Sequence, residues 1–308
     1  MSMAPRAWLA RLGPLTILAA LPAAAPAQSL AQAGNCRLEM VATPAQWQVA
    51  DIDIFSDVPQ RRSFDVEFVN SGATPCRVML DASTQGAPFG LTANGLGKRT
   101  TYSLVELASG ADLTPQGGSS KRSPRNLLTV PANGRTLARY EVEIAANFDH
   151  DGSFTQPLLL QAYDAGAGFA PLAERQVLLR ADVASSATLA LSGNFRRSGG
   201  IADVDLGELE PGEAKVPVIM HVRASRAYRI RTSSENGGRL VQSGTPWGIS
   251  YKLSMDGQTV EPAGGTFRSS PGDIKRVDNM KLGFIITGSL DVAAGEYSDV
   301  VTLEVSVD

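Results

Sequence analysis

Close to its end the sequence reads Val301-Thr-Leu-Glu-Val-Ser-Val307, with an apolar residue at every second position. Successive side chains of a β-strand point to opposite faces, so this stretch predicts a strand with one buried face. The same period of two recurs at Phe64–Phe68, Tyr140–Ile144 and Ile249–Met255. No long stretch has the 3.6-residue period of a helix, and only Leu104–Ala108 is expected to form a helical turn. The sequence therefore predicts an all-β protein built of β-sandwiches.

An internal repeat suggests two such sandwiches in tandem. Gly152–Gln161 and Gly295–Glu304 each begin with Gly, and each has an aromatic residue two positions later and Leu eight positions later. Chance similarity between β-hairpins is the alternative explanation. Because each copy falls late in its half of the chain, we expect two domains of common ancestry. Small residues at Ala184–Ser186 place the boundary between residues 28–184 and 185–308.

The two halves differ in the length of chain after the repeat. The first copy is followed by a loop and another strand-like run, Gln176–Val183, whereas the second is followed only by a few residues up to Asp308. We therefore expect the second sandwich to lack its last strand and to expose a hydrophobic groove, which a strand donated by another chain could fill. The alternative is a closed core, without a free sheet edge beside the strand. One wall of the predicted groove is formed by Val301, Leu303, Val305 and Val307.

The first 27 residues have the features of a secretory signal peptide. Arg6 and Arg11 give a positive start, Leu12–Leu21 is a short apolar run, and Ala25-Pro-Ala27 is a small-x-small cleavage site. The apolar run is too short to span a bilayer. We therefore expect export through the periplasm to the cell surface, without a membrane span.

Export determines how the two cysteines are interpreted. An even pair in an oxidising compartment is most simply a disulfide, here between Cys36 and Cys76. A bridge closing a loop of about 40 residues contributes roughly 4 kcal/mol in the loop-entropy model. The alternative is a redox or catalytic thiol, but the sequence has no CxxC motif and no His near either cysteine.

Composition excludes several function classes. The 308 residues carry a net charge of −3, which argues against nucleic acid as the main partner. Two His and two Cys leave few ligands for zinc, and no nucleotide-binding or hydrolase motif occurs. Catalysis by a carboxylate pair stays open in principle, but no spacing singles one out. We expect no catalytic residue, metal or cofactor, and no enzymatic activity.

One acidic segment resembles the start of a calcium loop. Asn147, Asp149 and Asp151 precede Gly152 in the required spacing, but the closing Glu is replaced by Leu158. The alternative is an ordinary Asp-Gly hairpin turn, and the sequence alone does not decide whether calcium binds.

Other polar segments have a functional and a structural interpretation. Ser83–Pro131, which contains Gly86–Gly90 and the basic run Lys121–Arg125, forms either receptor-binding loops or solvated surface loops. We expect His150 to be a solvated loop residue, and His221 to lie on the polar face of a strand.

Four stretches of the C-terminal half carry a family resemblance: Tyr228–Arg231, Ser233–Leu240, Trp247–Leu253 and the ending Ala294–Val305. They are similar to the spore coat protein U-like pilin domains of archaic chaperone–usher pili. By itself, the Ser233–Gly238 segment is better explained as a turn than as a binding site. The N-terminal half is more loosely similar, through cysteines that look like the strand-linking disulfide of pilins. The C-terminal half departs from the pattern because it has no Cys.

The resemblance implies an assembly role. Its partners would be a periplasmic pilus chaperone, an outer-membrane usher and a neighbouring pilin subunit, together with an unknown surface receptor. The segment Gln28–Asn35 before the first cysteine is too short to serve as a donated strand. A subunit that receives a strand and gives none belongs at the fibre tip, as an adhesin. The alternative is an independent secreted module that binds carbohydrate or protein, with Trp47 and Trp247 as an aromatic platform.

Overall fold

The computed structural model describes residues 36–93, 97–116, 127–166 and 170–308. The predicted signal peptide, Gln28–Asn35 and the basic run Lys121–Arg125 lie outside these ranges. All the named elements are strands, which confirms the all-β prediction. The described residues contain no helix of sufficient length and apolarity to cross a membrane.

Ten strands surround the first hydrophobic core, which we call the N-terminal sandwich. They are β1 (Leu38–Ala42), β2 (Gln46–Ile52), β3 (Gln60–Asn70), β4 (Cys76–Ser83), β5 (Tyr102–Glu106), β6 (Ala111–Asp112), β7 (Leu127–Val130), β8 (Gly134–Ile144), β9 (Gly152–Asp164) and β10 (Pro171–Val183). They form two five-stranded sheets, in the orders β1-β3-β8-β5-β6 and β2-β10-β9-β4-β7.

Twelve further strands surround a second core, which we call the C-terminal sandwich. They are β11 (Ala187–Gly193), β12 (Arg196–Ser198), β13 (Ile201–Asp203), β14 (Gly212–Glu213), β15 (Val218–Ala224), β16 (Tyr228–Ser234), β17 (Arg239–Val241), β18 (Gly248–Met255), β19 (Gln258–Val260), β20 (Thr266–Arg268), β21 (Arg276–Ile286) and β22 (Val301–Val307). The larger sheet has the order β11-β15-β21-β18-β17, and the smaller sheet has the order β20-β16-β22.

The alternating sequence patterns produce the buried faces. In β18, Ile249, Tyr251, Leu253 and Met255 are buried, while the polar residues between them are more exposed. The next two residues form the predicted tight turn, because Asp256 and Gly257 both have positive φ and Met255 pairs with Gln258.

Two expectations about local structure are wrong. Leu104–Ala108 does not form a helical turn, because its first three residues belong to β5 and pair with β8. Ser83–Pro131 is not only loop, since it contains β5, β6 and β7. Within it, Phe89 packs on Tyr102, with 4.8 Å between the ring centroids, so the Gly86–Gly90 loop is anchored to the sandwich.

The N-terminal sandwich is closed by β10, as the sequence predicts. β10 pairs antiparallel with β9 on one side and parallel with β2 on the other. Its inward residues Val177, Leu179, Ala181 and Val183 are all buried. On its outer face Asp182 accepts hydrogen bonds from Gln48 of β2 (2.6 Å) and Ser153 of β9 (2.5 Å), so one carboxylate ties β10 to both neighbours.

The Asp182 cluster gives a pH-dependent prediction. Burial raises the pKa of Asp182, but hydrogen bonds from Ser153, Arg180 and Gln48 outweigh it and hold the pKa below its usual 3.8. A lowered folded-state pKa gives stability above about pH 4 that is lost as the pH falls through that pKa. We expect Asp182→Asn to lower the free energy of unfolding by about 1–2 kcal/mol at pH 7. Urea titrations should show that the difference in unfolding free energy between the unmodified chain and Asp182→Asn shrinks below about pH 3.

Asp65→Asn is the matched control for this prediction. It breaks the exposed Asp65–Arg139 pair without touching β10, and exposed pairs contribute about 1 kcal/mol or less. Equal effects of the two substitutions at pH 7 would mean that the cluster has no special role in closing the sandwich.

A disulfide and a buried asparagine side chain hold together the end of the N-terminal sandwich that is farther from β11. Cys36 and Cys76 are bonded across 5.4 Å between their Cα atoms. Next to them the side chain of Asn70, 1% exposed, accepts from the Gly72 amide (2.9 Å) and donates to the carbonyls of Thr74 (2.8 Å) and Pro131 (3.0 Å). Covalent and polar contacts therefore fix the same group of loops.

Removing the disulfide should destabilise this sandwich strongly. Because the bridge spans 40 residues, the Cys36→Ser/Cys76→Ser variant should lose about 3–4 kcal/mol of unfolding free energy, measured in urea. Wild-type protein kept reduced should behave like the double variant. A loss below about 1 kcal/mol would contradict the loop-entropy argument for this bridge.

Candidate strand-acceptor edge

The last strand, β22, has a backbone partner on one side only. It pairs antiparallel with β16 from Tyr228↔Val307 to Ser234↔Val301. In the smaller sheet, whose order is β20-β16-β22, it is the terminal strand. None of the described residues pairs with its other edge, so this strand is a free edge in the part of the chain that the structure covers.

The hydrogen-bonding groups on that free edge can be identified from the register. Asp308 donates its amide to Ala227, and Glu235 donates to the carbonyl of Val300, so the even-numbered residues face β16. Backbone groups alternate sides along an antiparallel strand. The amide and carbonyl groups of Val301, Leu303, Val305 and Val307 therefore point away from β16, toward the free edge.

β11 forms the facing edge in the other sheet. It pairs only with β15, and bonds from Ser225 to Ser186 and from Asn194 to Pro217 fix the register. By the same alternation, Leu189 and Leu191 direct their backbone groups away from β15. β11 lies next to β22 across the sandwich. We call these two edges, Ala187–Gly193 and Val301–Val307, the open side.

The apolar side chains of the open side are only half-buried. Leu189 and Leu191 of β11 and the inward residues of β22 pack against the second core but keep part of their surface exposed. The inward residues of β15 and β16, such as Val218 and Ile230, are by contrast fully buried. Exposed apolar surface beside unpaired backbone groups is a site where another strand can add.

The N-terminal sandwich provides an internal reference for the open side. In the repeat Leu158 and Leu160 of β9 match Val301 and Leu303 of β22. β9 pairs with β4 as β22 pairs with β16. Leu158 and Leu160 are no more than 1% exposed because β10 covers them, whereas their counterparts are half-buried. The difference between the two sandwiches is the strand that lies beside this position.

β11 partly takes the place of the absent neighbour. In the N-terminal sandwich β1 packs across β10, but in the C-terminal sandwich β11, which holds the same place in its sheet, packs across β22. The predicted groove is thus narrowed by side-chain packing, without strand pairing between β11 and β22. An added strand would displace β11 from β22 by about one strand spacing, roughly 4.8 Å.

A tyrosine contact between the two sheets occurs at the same position in both sandwiches. Tyr102 pairs with Ile144 at the end of β8, and its hydroxyl donates to Gln156 (3.1 Å). Tyr251 pairs with Ile286 at the end of β21, and its hydroxyl donates to Asp299 (2.8 Å). Gln156 and Asp299 are matching residues of the sequence repeat, so the two tyrosine contacts occupy equivalent positions in the two sandwiches.

Asp299 connects several of the segments that carry the family resemblance. Besides Tyr251, it accepts from the hydroxyl of Ser234 (2.5 Å) and from the amide of Asn236 (3.0 Å). Gly237 and Gly238 have positive φ and complete the turn predicted for this segment. Burial, followed by the hydrogen bond to Asp299, raises the pKa of Tyr251, so its hydroxyl stays a donor. These residues fix the start of β22 against both sheets.

The structure assigns other roles to the remaining candidate residues. Asp151 is bound by Arg226 and Ser185, which occupy its carboxylate with protein partners. Among the described residues no group of three or more His, Cys, Asp or Glu is arranged to hold a metal ion. His150 is not a free loop side chain: it is half-buried and packs on Phe154.

His221 and the two tryptophans also have clear positions. His221 lies on the polar face of β15 as predicted, within 2.6 Å of Ser192 and 2.5 Å of Asn279. Trp47 is fully buried and stacks on Phe64, so its suggested place in an aromatic platform is wrong. Trp247 is 43% exposed.

Sequence comparison gives no match to any family model or to any curated protein. Comparison of folds gives solved structures of pilus proteins. The CsuC–CsuE chaperone–tip adhesion subunit complex of Acinetobacter baumannii is 13% identical, over 84% of this chain and 97% of that chain, with a TM-score of 0.47. The CupB6 tip adhesin of Pseudomonas aeruginosa is 11% identical, over 88% of this chain and 95% of that chain, with a TM-score of 0.41. The CooA pilin subunit of Escherichia coli is 10% identical, over 48% of this chain and 99% of that chain, with a TM-score of 0.34.

Proposed function

We propose that this chain is a non-enzymatic, adhesive subunit of a chaperone–usher type pilus, whose C-terminal sandwich is completed by a strand from another chain. The observation that carries the proposal is the free edge of β22, set against the paired edge of the matching strand β9. The half-buried residues Val301, Leu303, Val305 and Val307 would contact the donated strand. The sequence resemblance to spore coat protein U-like pilin domains supports the same role.

In this proposal the strand has two successive donors. A periplasmic chaperone lends a strand during export, and an outer-membrane usher exchanges it for the N-terminal segment of a neighbouring pilin. The closed N-terminal sandwich, which lies within residues 28–184, is a separate domain that meets the surface receptor. Because Gln28–Asn35 is too short to donate, the chain occupies the tip of the fibre.

The first test is export with and without an archaic pilus chaperone. Alone, the chain is expected to aggregate or be degraded in the periplasm, since half-buried apolar surface lies beside an unpaired edge. Co-expression of the chaperone should recover soluble chain in a stable complex. Leu303→Asp on the open side should prevent this recovery, whereas Leu137→Asp, at a position 63% exposed on the N-terminal sandwich, should not.

The opposite outcome would favour an independent secreted binding module. A chain that is soluble and monomeric at high concentration without any partner would contradict the strand-acceptor role. The exposed Trp247 would then be the first residue to examine for carbohydrate binding.

A further inference from the structure

The most buried ion pair of the described residues joins the two sandwiches. Asp151 lies just before β9 and its side chain is only 3% exposed. The Nε atom of Arg226, in the turn between β15 and β16, lies 3.0 Å and 3.1 Å from the two carboxylate oxygens of Asp151. The Nη2 atom of Arg226 also donates to Asp151, as does the hydroxyl of Ser185 in the connection between the sandwiches.

The connecting residues are themselves held on both sides. Ala184 donates its amide to Ile52 of the N-terminal sandwich (3.0 Å). Ser186 accepts from the amide of Ser225 (2.9 Å), which is fully buried in the C-terminal sandwich. Each residue of the 184–186 connection therefore has a hydrogen bond to one of the two sandwiches, Ser185 through Asp151.

Two further contacts cross the same joint. The amide of Lys275 donates to the carbonyl of Asp149 (2.7 Å). The guanidinium of Arg223 lies over the ring of Phe55, 4.7 Å from its centroid. The joint is thus formed by polar and cation–π contacts from β15, from the turn after it and from the segment before β21.

The carboxylate of Asp151 is not explained by the fold of its own sandwich. In the repeat, Asp151 precedes Gly152 as Ala294 precedes Gly295, so the repeat does not require an acid at this position. Burial raises the pKa of Asp151, but hydrogen bonds from Arg226 and Ser185 outweigh it and keep the carboxylate charged at neutral pH. A buried charge of this kind is stabilised by its partner and costly once the partner is removed.

We propose that Asp151, Arg226 and Ser185 form a clasp that locks the two sandwiches into one rigid body with a fixed relative orientation. In this role the clasp sets the direction in which the N-terminal sandwich points relative to the open side. The inference concerns the joint alone and does not depend on whether the open side receives a strand.

Distance measurements between spin labels test this inference in the full chain. Leu137→Cys on β8 and Ile219→Cys on β15 place labels at exposed positions of the two sandwiches, away from the joint. The two native cysteines are buried in their disulfide and would not react. The unmodified joint should give one narrow distance distribution.

Breaking the clasp should broaden that distribution. Asp151→Asn and Arg226→Gln are each expected to widen it at least about twofold and to raise the rate of protease cleavage at 184–186 by about tenfold or more. The matched control Asp65→Asn, which removes an exposed ion pair within one sandwich, should change neither quantity. Arg226 is partly exposed, so Arg226→Gln keeps the test informative if Asp151→Asn does not fold.

Two outcomes would overturn the inference. One is an unchanged width of the distance distribution in Asp151→Asn and Arg226→Gln, or in the one of them that folds. That result would mean that the other contacts hold the joint without the clasp. The other is an equal broadening in Asp65→Asn, which would mean that the loss of any ion pair loosens the chain.

Discussion

A chain completed by its own extra strand is expected to be far more stable than the chain as it stands. The extension, placed after Asp308, would carry a loop of the length that joins β9 to β10, followed by a copy of Pro171–Val183. β22 ends beside Ala227, so such a hairpin would return along the free edge antiparallel to β22, as β10 returns along β9. The copied apolar residues would then cover the half-buried side chains of the open side.

The size of the effect depends on the number of side chains that become buried. Each Val or Leu side chain that becomes fully buried contributes about 1.5–3 kcal/mol. The extension adds three such side chains and an alanine and covers further apolar surface, so a gain on the order of 5 kcal/mol is expected after the cost of ordering the added strand. Urea unfolding, monitored by tyrosine and tryptophan fluorescence, measures the shift of the C-terminal transition.

A matched extension controls for the added length. It has the same loop and strand, but the copies of Val177, Leu179 and Val183 are replaced by Asp. This control should leave the unfolding midpoint close to that of the parent chain. Equal midpoints for the apolar extension and the parent would contradict the claim that the open side lacks a strand.

The second large effect is expected at Asp299. Asp299→Ala should lower the unfolding free energy of the C-terminal sandwich by about 3 kcal/mol, because four donors lose a charged acceptor and the buried hydroxyl of Tyr251 is left unpaired. The start of β22 should fray as a consequence. Urea unfolding measures the loss, and hydrogen exchange of Val301–Val307 measures the fraying.

Two control variants distinguish the loss of the Asp299 contacts between the sheets from the loss of a negative charge as such. Asp291→Ala removes an exposed acid eight positions earlier in the chain and should change stability by less than about 0.5 kcal/mol. Tyr251→Phe removes only the hydroxyl and should cost about 1–1.5 kcal/mol. A loss from Asp299→Ala no larger than that from Asp291→Ala would show that Asp299 does not hold β22 in place.

The sequence predicts the strands well because their signal is local. The period of two in β8, β18 and β22 arises from the pleat of a single strand, and the Asp256-Gly257 turn arises from the φ values that these residues tolerate. The helical turn predicted for residues 104–108 is wrong because Leu104 and Val105 suit a helical turn as well as a strand. Pairing with β8, more than thirty residues later in the chain, makes this segment a strand.

The polar contacts could not be predicted, because they join residues distant in sequence. Asp151 meets Arg226 75 positions later, and Tyr102 meets Gln156 54 positions later. Nothing around either residue signals its partner. The repeat does contain a usable signal, since Gln156 and Asp299 occupy matching positions and both carry a side-chain oxygen that accepts from a tyrosine.

The open side combines one feature that the sequence pattern indicates with one that it does not. The repeat makes Val301–Val307 the counterpart of part of β9, and in the part of the chain that the structure describes this strand is the terminal strand of its sheet. The packing of β11 across β22 depends on the relative position of two sheets, and the sequence contains no pattern for it.

Hydrogen exchange on the open side tests the central proposal most directly. The purified full chain, at a concentration low enough to keep it monomeric, would be measured alone and with an excess of a synthetic peptide of the sequence Pro171–Val183, and the amides of Val301, Leu303, Val305 and Val307 would be monitored. Those amides are expected to exchange rapidly in the free chain and to slow at least about a hundredfold with the peptide, while Thr302 and Glu304, whose amides face β16, change little. Slow exchange of all these amides in the free chain would mean that the edge is already paired, and would contradict the account.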